Sequence, residues 1–172
     1  MDRGYIEKAL PEIKKIKDPR LRDGVVKAWL LAIEKGRWTR IDDIPFTLLT
    51  ATKATLLQHT RSVTNMALAI ASARKRTDLD IDTLIAGALV HDVGKLLEYA
   101  RKGKAIAKSE HGKRVRHPVS GYGLAIEAGL PLEVAHIIAT HSKEGEGMVR
   151  SNEAVVIHHC DFIDFDICQS RQ

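Results

Sequence analysis

The sequence has few aromatic residues, few cysteines and no long apolar run. Aromatic side chains make up 5% of the 172 residues, so we expect a core built from Leu, Ile, Val and Ala. No segment approaches the roughly 20 consecutive apolar residues of a membrane-spanning helix, and the first 20 residues contain no apolar region typical of a secretory signal. These absences predict a globular, cytoplasmic protein that does not interact with a membrane.

The two cysteines, Cys160 and Cys168, do not form a CxxC motif. On a helix they would be separated by about two turns, which is too far for a disulfide bond. We interpret them as free thiols in a reducing compartment. The formal net charge of +5 favours an anionic partner, but a charge of this size does not by itself indicate nucleic-acid binding.

Apolar residues recur with helical spacing along almost the whole chain. Leu21, Val25, Trp29 and Ile33, for example, fall on one helical stripe, and we find no convincing strand. The length suits one domain, or one domain with a short extension. The sequence therefore predicts an all-α bundle of about six or seven helices.

Five segments each place a metal-ligand type of side chain on an apolar helical face or at its end. The side chains are His59, His91, Asp92, His117, His141 and Asp161. Burying one such group without a partner costs about 2–7 kcal/mol, against a net domain stability of about 5–15 kcal/mol. The six groups must therefore satisfy one another or bind a common group.

Four imidazoles and two carboxylates suit one or two divalent transition-metal ions, such as iron, manganese, zinc or nickel, and do not suit calcium. A single histidine on an apolar face is more often a hydrogen-bonded core residue, and Asp92 alone could be an accident of a helix end. A carboxylate is, however, unfavourable at the negative end of the helix dipole. The joint pattern favours a metal site.

The order of these residues resembles the HD-domain superfamily of metal-dependent phosphohydrolases. LVHDVGK, at 89–95, is similar to the H-D-x-G-K signature, and QHTRSVTNMALAIA is similar to the first helix of the family. HPVSGYGLAIEAGLPLEVAHIIATHS is similar to the segment that adds histidines in the two-metal branch, which includes the HD-GYP enzymes, and AVVIHHCDFID supplies the closing aspartate. The resemblance predicts an HD-domain-like helical bundle, with a metal-binding catalytic domain at 50–172. Residues 1–49 lie outside the resemblance, and we interpret them as a helical extension that packs on this domain or makes an oligomer contact.

The resemblance also implies residue roles. His59, His91, Asp92 and Asp161 would hold a first ion, and His117 and His141 would share Asp92 to hold a second. Asp92 and Lys95 would be catalytic, with Lys95 contacting a phosphate oxygen of the substrate. The chain lacks Gly-Tyr-Pro after His141 and has a single histidine where HD-GYP enzymes usually carry a pair, which argues against cyclic di-GMP hydrolysis.

The segment between the second and third motifs is strongly basic, with Glu110 as its one acidic residue in 99–117. Such a run is commonly a solvated face or a mobile loop. Because it joins two ligand-bearing segments, we predict a lid that gathers phosphate, with Arg114 and Arg116 as substrate-binding residues. His158 shares a helical face with Asp161 and is predicted to support the ligands or to contact substrate.

Three functions are compatible with this pattern. The first is a metal-dependent phosphohydrolase that uses a metal-activated hydroxide on a nucleotide, a cyclic nucleotide or a related phosphoester. The second is an HD-fold diiron oxygenase, because the same ligand set also serves an oxygen-using branch. The third is a non-catalytic nucleotide-binding or nucleic-acid-binding module, which would not need a complete ligand set. We expect an anionic phosphorylated small molecule as partner, do not favour nucleic acid, and leave a homo-oligomer open.

Overall fold

The computed structural model describes residues 1–75 and 78–170 and is predominantly helical. Its described α-helices are α1 Arg3–Ala9, α2 Pro19–Lys35, α3 Leu56–Arg74, α4 Ile81–Val90, α5 Lys95–Glu98, α6 His117–Ala128, α7 Leu132–Thr140 and α8 Asn152–Ser170. Two 3-10 helices, Pro11–Lys15 and Lys143–Gly145, complete the helical segments of these residues. The predicted predominantly helical fold is confirmed. The predicted domain at 50–172 includes 76–77 and 171–172, which lie outside the described residues.

The prediction that the chain contains no strand is wrong for a short hairpin. Strand β1 (Tyr99–Lys102) pairs antiparallel with β2 (Ala105–Lys108), and Tyr99 lies opposite Lys108. Gly103 in the turn has a φ of +63°, a conformation that glycine adopts without steric cost. Four-residue strands are too short to show a clear alternation of apolar and polar residues, so the basic segment resembled a loop.

Local signals explain where the ligand-bearing helices begin. Thr55 and Gln58 form a capping box at the start of α3, and the side chain of Asp80 accepts a hydrogen bond from Thr83 N at the start of α4. Helix α6 ends at Ala128, and Gly129 caps it with a φ of +82°. These caps fix the ends of the helices from which the ligands project.

The helices enclose two adjoining apolar clusters. The smaller one lies between α3, α4, α7 and α8, and the larger one joins the N-terminal helices to α4, α6 and α7. The indole of Trp29 donates to the carbonyl oxygen of Leu89 at 2.9 Å, and that of Trp38 donates to Leu96 at 2.6 Å. Residues 1–49 therefore pack on the rest of the chain through a shared core. None of the described helices combines the length and apolarity needed to cross a membrane.

Candidate metal centre

Each side chain of the predicted metal site lies at the start of a helix, just after its end, or on a helical face that points to the interior. His59 lies on the buried face of α3, and His91 and Asp92 directly follow the end of α4 at Val90. His117 begins α6, and His141 directly follows α7. Asp161 lies in the middle of α8. The four histidines and Asp92 are almost fully buried.

The first ligand group consists of His59, His91, Asp92 and Asp161. The Nε2 atoms of His59 and His91 lie 3.3 Å apart, and His59 Nε2 lies 3.0 Å from Asp161 Oδ1. Asp92 Oδ2 lies 3.4 Å from the Nε2 atom of each histidine. All four ligand atoms lie within 4.8 Å of one another, so one ion could contact them all.

The second ligand group consists of Asp92, His117 and His141. The Nε2 atoms of the two histidines are 3.4 Å apart. The other carboxylate oxygen, Asp92 Oδ1, lies 3.3 Å from His117 Nε2 and 3.6 Å from His141 Nε2. Asp92 thus turns one oxygen toward each group.

The four imidazoles are oriented by a shared device, a hydrogen bond at Nδ1. The Nδ1 atoms of His91 and His141 lie 2.7 Å from the carbonyl oxygens of Ala88 and Ile138, three residues earlier. A carbonyl oxygen only accepts hydrogen bonds, so these two rings carry a proton on Nδ1 and present a lone pair at Nε2.

Carboxylates play the same part for the other two rings. Asp164 Oδ2 lies 2.6 Å from His59 Nδ1, and Glu98 Oε2 lies 3.0 Å from His117 Nδ1. Each ligand group therefore contains one imidazole held by a carboxylate and one held by a carbonyl. Hydrogen bonds of this kind are the usual means by which proteins orient histidines that ligate metals.

The convergence of these atoms fits a cation. Lone pairs of His91 and His141 point into the groups, and Asp92 Oδ1 is buried without a hydrogen-bond partner. A buried acceptor without a partner costs free energy, and a divalent ion between these atoms would remove that cost. The residues present therefore fit metal ions in both groups.

The pKa values of His59 and Asp161 also indicate that the first ligand group favours a positive charge between its carboxylates. Burial disfavours the charged form of His59, but hydrogen bonds to Asp161, Asp164 and Asp92 raise its pKa to about 10. Burial likewise opposes ionisation of Asp161, yet its hydrogen bond with His59 lowers its pKa to about 2. Without a metal ion, a proton on His59 supplies the charge that the carboxylates require.

Lys95 is buried against the first ligand group. Its Nζ donates to Asp92 Oδ2 and to the carbonyl oxygen of Phe46, both at 2.6 Å. Burial opposes the charged form of this amine, but the carboxylate of Asp92 raises its pKa. Lys95 therefore remains a cation that contacts Asp92 directly.

A cavity of about 240 Å³ opens beside the two groups. Of the sequence-predicted residues, Asp92, Lys95, Arg116, His117 and Asp161 line it. Two other predicted substrate-binding residues, Arg114 and His158, are not part of this lining. Arg114 is exposed, and the Nδ1 of His158 donates to the carbonyl oxygen of His141 at 2.6 Å.

The segment predicted as a lid contains the β1–β2 hairpin and a turn that leads to α6. Within it, Arg116 donates through Nη1 to Glu98 and through Nε to Glu144 Oε1 at 2.6 Å. Lys108 Nζ, at the end of β2, lies 3.8 Å from Glu98 Oε1. Arg116 therefore reaches the cavity as part of an ion-pair network, whereas Arg114 points its charge to solvent.

Sequence reasoning did not find Glu98, Asp164 or Phe46. Asp164 follows Asp161 by three residues, so the two carboxylates lie near each other on α8. That spacing is a usable signal for a carboxylate that supports a neighbouring ligand. Glu98 and Phe46 left no comparable pattern, since only the tertiary fold brings them to the ligands.

Taken together, the fold and the site define a helical domain whose interior presents two His/Asp groups suited to metal ions. The family model for the HD domain matches residues 56–166, which is more than half of the chain. The chain belongs to the HD domain family, and the resemblance derived from its motifs is confirmed.

Two curated proteins illustrate the range of its relatives. One is a dihydroneopterin 2',3'-cyclic phosphate phosphodiesterase of Methanocaldococcus jannaschii, 30% identical over 128 residues, 67% of this chain and 51% of the relative. The other is a tRNA (cytidine(56)-2'-O)-methyltransferase of Thermoplasma volcanium, 31% identical over 100 residues, 58% of this chain and 24% of the relative. The chain thus spans about half of the first relative and about a quarter of the second. No solved structure gives a significant match.

Proposed function

We propose that the protein is a metal-dependent phosphohydrolase that cleaves a phosphodiester in a small molecule. The observation that carries this proposal is the position of Asp92, whose two oxygens face separate groups of buried ligands. Bound divalent ions lower the pKa of water and neutralise phosphoryl oxygens, which is the chemistry that phosphodiester hydrolysis requires. His59, His91, Asp92 and Asp161 would hold one ion, and Asp92, His117 and His141 a second.

The other residues of the site prepare it for an anionic substrate. Lys95 keeps a positive charge beside Asp92 and lines the cavity, so we assign it to a phosphoryl oxygen of the substrate. Arg116 reaches the same cavity and is assigned to substrate binding, although Glu98 and Glu144 share its charge. Arg114 and His158, which lie outside the lining, are assigned supporting roles only.

The substrate class that we favour is a cyclic phosphodiester of the nucleotide type or a related compound. The relative named as a phosphodiesterase for dihydroneopterin 2',3'-cyclic phosphate supports hydrolysis over the oxygenase and the binding module. The mixed imidazole and carboxylate ligands favour iron, manganese, zinc or nickel as the ions.

The test is metal analysis of anaerobically purified protein, followed by assays against a panel of cyclic and linear phosphodiesters and phosphomonoesters. We expect one or two equivalents of a transition metal, and hydrolysis of a phosphodiester that a chelator abolishes and added metal restores. Wild-type protein that carries no metal and binds none, or that leaves every phosphodiester intact when loaded, would contradict the proposal.

A further inference from the structure

All three phenylalanines of the chain, Phe46, Phe162 and Phe165, line the cavity beside the ligand groups. Tyr99, at the start of β1, adds a fourth aromatic side chain to the lining. Aromatic residues make up only 5% of this sequence, and the core elsewhere is largely aliphatic. The concentration of rings at one cavity therefore exceeds what core packing in this chain requires.

The three phenylalanines lie close to the first ligand group. The ring of Phe46 stacks on His59, with centroids 4.5 Å apart and planes inclined by 22°, and Phe165 meets Phe46 edge-on at 6.3 Å. Phe162 directly follows the ligand Asp161 on α8. Phe162 and Phe165 are only half-buried, so part of their apolar surface remains available for a ligand to cover.

Other lining residues are charged and lie close to the second ligand group. Arg116 directly precedes His117, and Lys143 and Glu144 follow His141 by two and three residues. Glu98, which orients His117, also faces the cavity. The cavity therefore has phenylalanine rings beside the first ligand group, next to the amine of Lys95, and ion-paired side chains beside the second.

We propose that the cavity binds a phosphodiester attached to a planar heteroaromatic ring, with the ring against Phe162 and Phe165 and the hydrophilic part of the substrate toward Arg116 and Lys143. This inference rests on the proposed function and adds the orientation of the substrate across the two ligand groups. Phe165 lies four residues after Asp161, so the ring contact and the ligand occupy one face of α8. A heteroaromatic ring stacks on phenylalanine largely without regard to its substituents, so this subsite selects for a ring rather than for one particular base or pterin.

The experiment compares ring-bearing and ring-free ligands on the metal-loaded protein. Binding of neopterin and guanosine is measured by fluorescence and equilibrium dialysis, and KM is measured for guanosine 2',3'-cyclic phosphate and for glycerol 1,2-cyclic phosphate. We expect Phe162→Leu and Phe165→Leu each to weaken neopterin binding about tenfold, and to raise KM for the ring-bearing substrate by a similar factor. KM for the glycerol compound should stay within about twofold of the wild-type value, because that compound has no ring to lose contacts.

The matched control is Ile163→Ala on the same helix, since Ile163 is 46% exposed and lies outside the described lining. It should leave all four measurements unchanged, and metal content is checked in every variant. The ring subsite is overturned if KM changes equally for both substrates. It is also overturned if the phenylalanine variants bind neopterin and guanosine as wild type does, or if wild type binds neither. Failure of wild type to hydrolyse any phosphodiester overturns the proposed function instead, and neopterin binding still decides the subsite.

Discussion

Asp164 holds His59 in place from outside the ligand group, with its Oδ2 atom 2.6 Å from His59 Nδ1. We expect Asp164→Asn to lower metal affinity about 10- to 100-fold, because a neutral amide is a weaker acceptor than a carboxylate and so orients the ring less firmly and raises its basicity less. The measurement is competition with a metal-binding dye. Asp166→Asn, an exposed carboxylate two residues further along α8, should bind metal like wild type. Equal affinities for the two variants would show that Asp164 does not orient the ligand.

Asp92 faces both ligand groups, whereas His117 belongs to one of them. Asp92→Ala should therefore lose both ions and all hydrolytic activity, while His117→Ala should lose one ion and retain the other. Metal stoichiometry by mass spectrometry of purified protein distinguishes the two results, and circular dichroism verifies that both variants are folded. An Asp92→Ala protein with the wild-type metal content would refute the shared-ligand assignment.

Gly94 of the HDVGK motif permits a close approach between two backbones. A Cβ atom at this position would lie 2.0 Å from the carbonyl oxygen of His117 and 2.6 Å from Gly121 N. We expect Gly94→Ala to lower the free energy of unfolding by about 2–3 kcal/mol, because the clash involves the main chain of α6. Urea unfolding followed by circular dichroism measures this change.

Gly123, also on α6, offers the matched control because a Cβ there meets no atom within 4 Å. Gly123→Ala should raise the unfolding free energy by up to about 1 kcal/mol through helix propensity. If both alanine variants were equally stable, the close packing of Gly94 on α6 would be wrong.

Glu144 gives a pH-dependent test of the charged network. Burial raises the pKa of this carboxyl, but hydrogen bonds from Ser142 and Arg116 outweigh burial and lower it to about 2. Its ion pair with Arg116 should therefore be complete above pH 4.5 and be lost as the pH falls through about 2. Carboxyl-carbon NMR should follow this titration, and Arg116→Gln should move the pKa back toward 4.5. A wild-type value near 4.5 would contradict the network.

Much of the site could be anticipated from sequence, because helical periodicity marks buried faces and a histidine or aspartate there is conspicuous. Six such residues lie on or at the end of buried helical faces, and the structure brings them together: His59, His91, Asp92, His117, His141 and Asp161. Glu98 could not be predicted, since its local pattern is that of a carboxylate that faces solvent, whereas Asp164 was signalled only by its spacing of three residues from Asp161. Arg116 and Arg114 could not be told apart either, because Arg116 reaches the cavity through ion pairs with Glu98 and Glu144, which are distant from it in sequence.

Phe46 lies ahead of the segment that matches the family, yet its carbonyl oxygen accepts a hydrogen bond from Lys95 and its ring covers His59. The residues of the matched segment alone therefore do not make up the complete site. A descendant could retain every ligand and still alter which compound it accepts, by exchanging a stretch of chain that carries none of the signature residues.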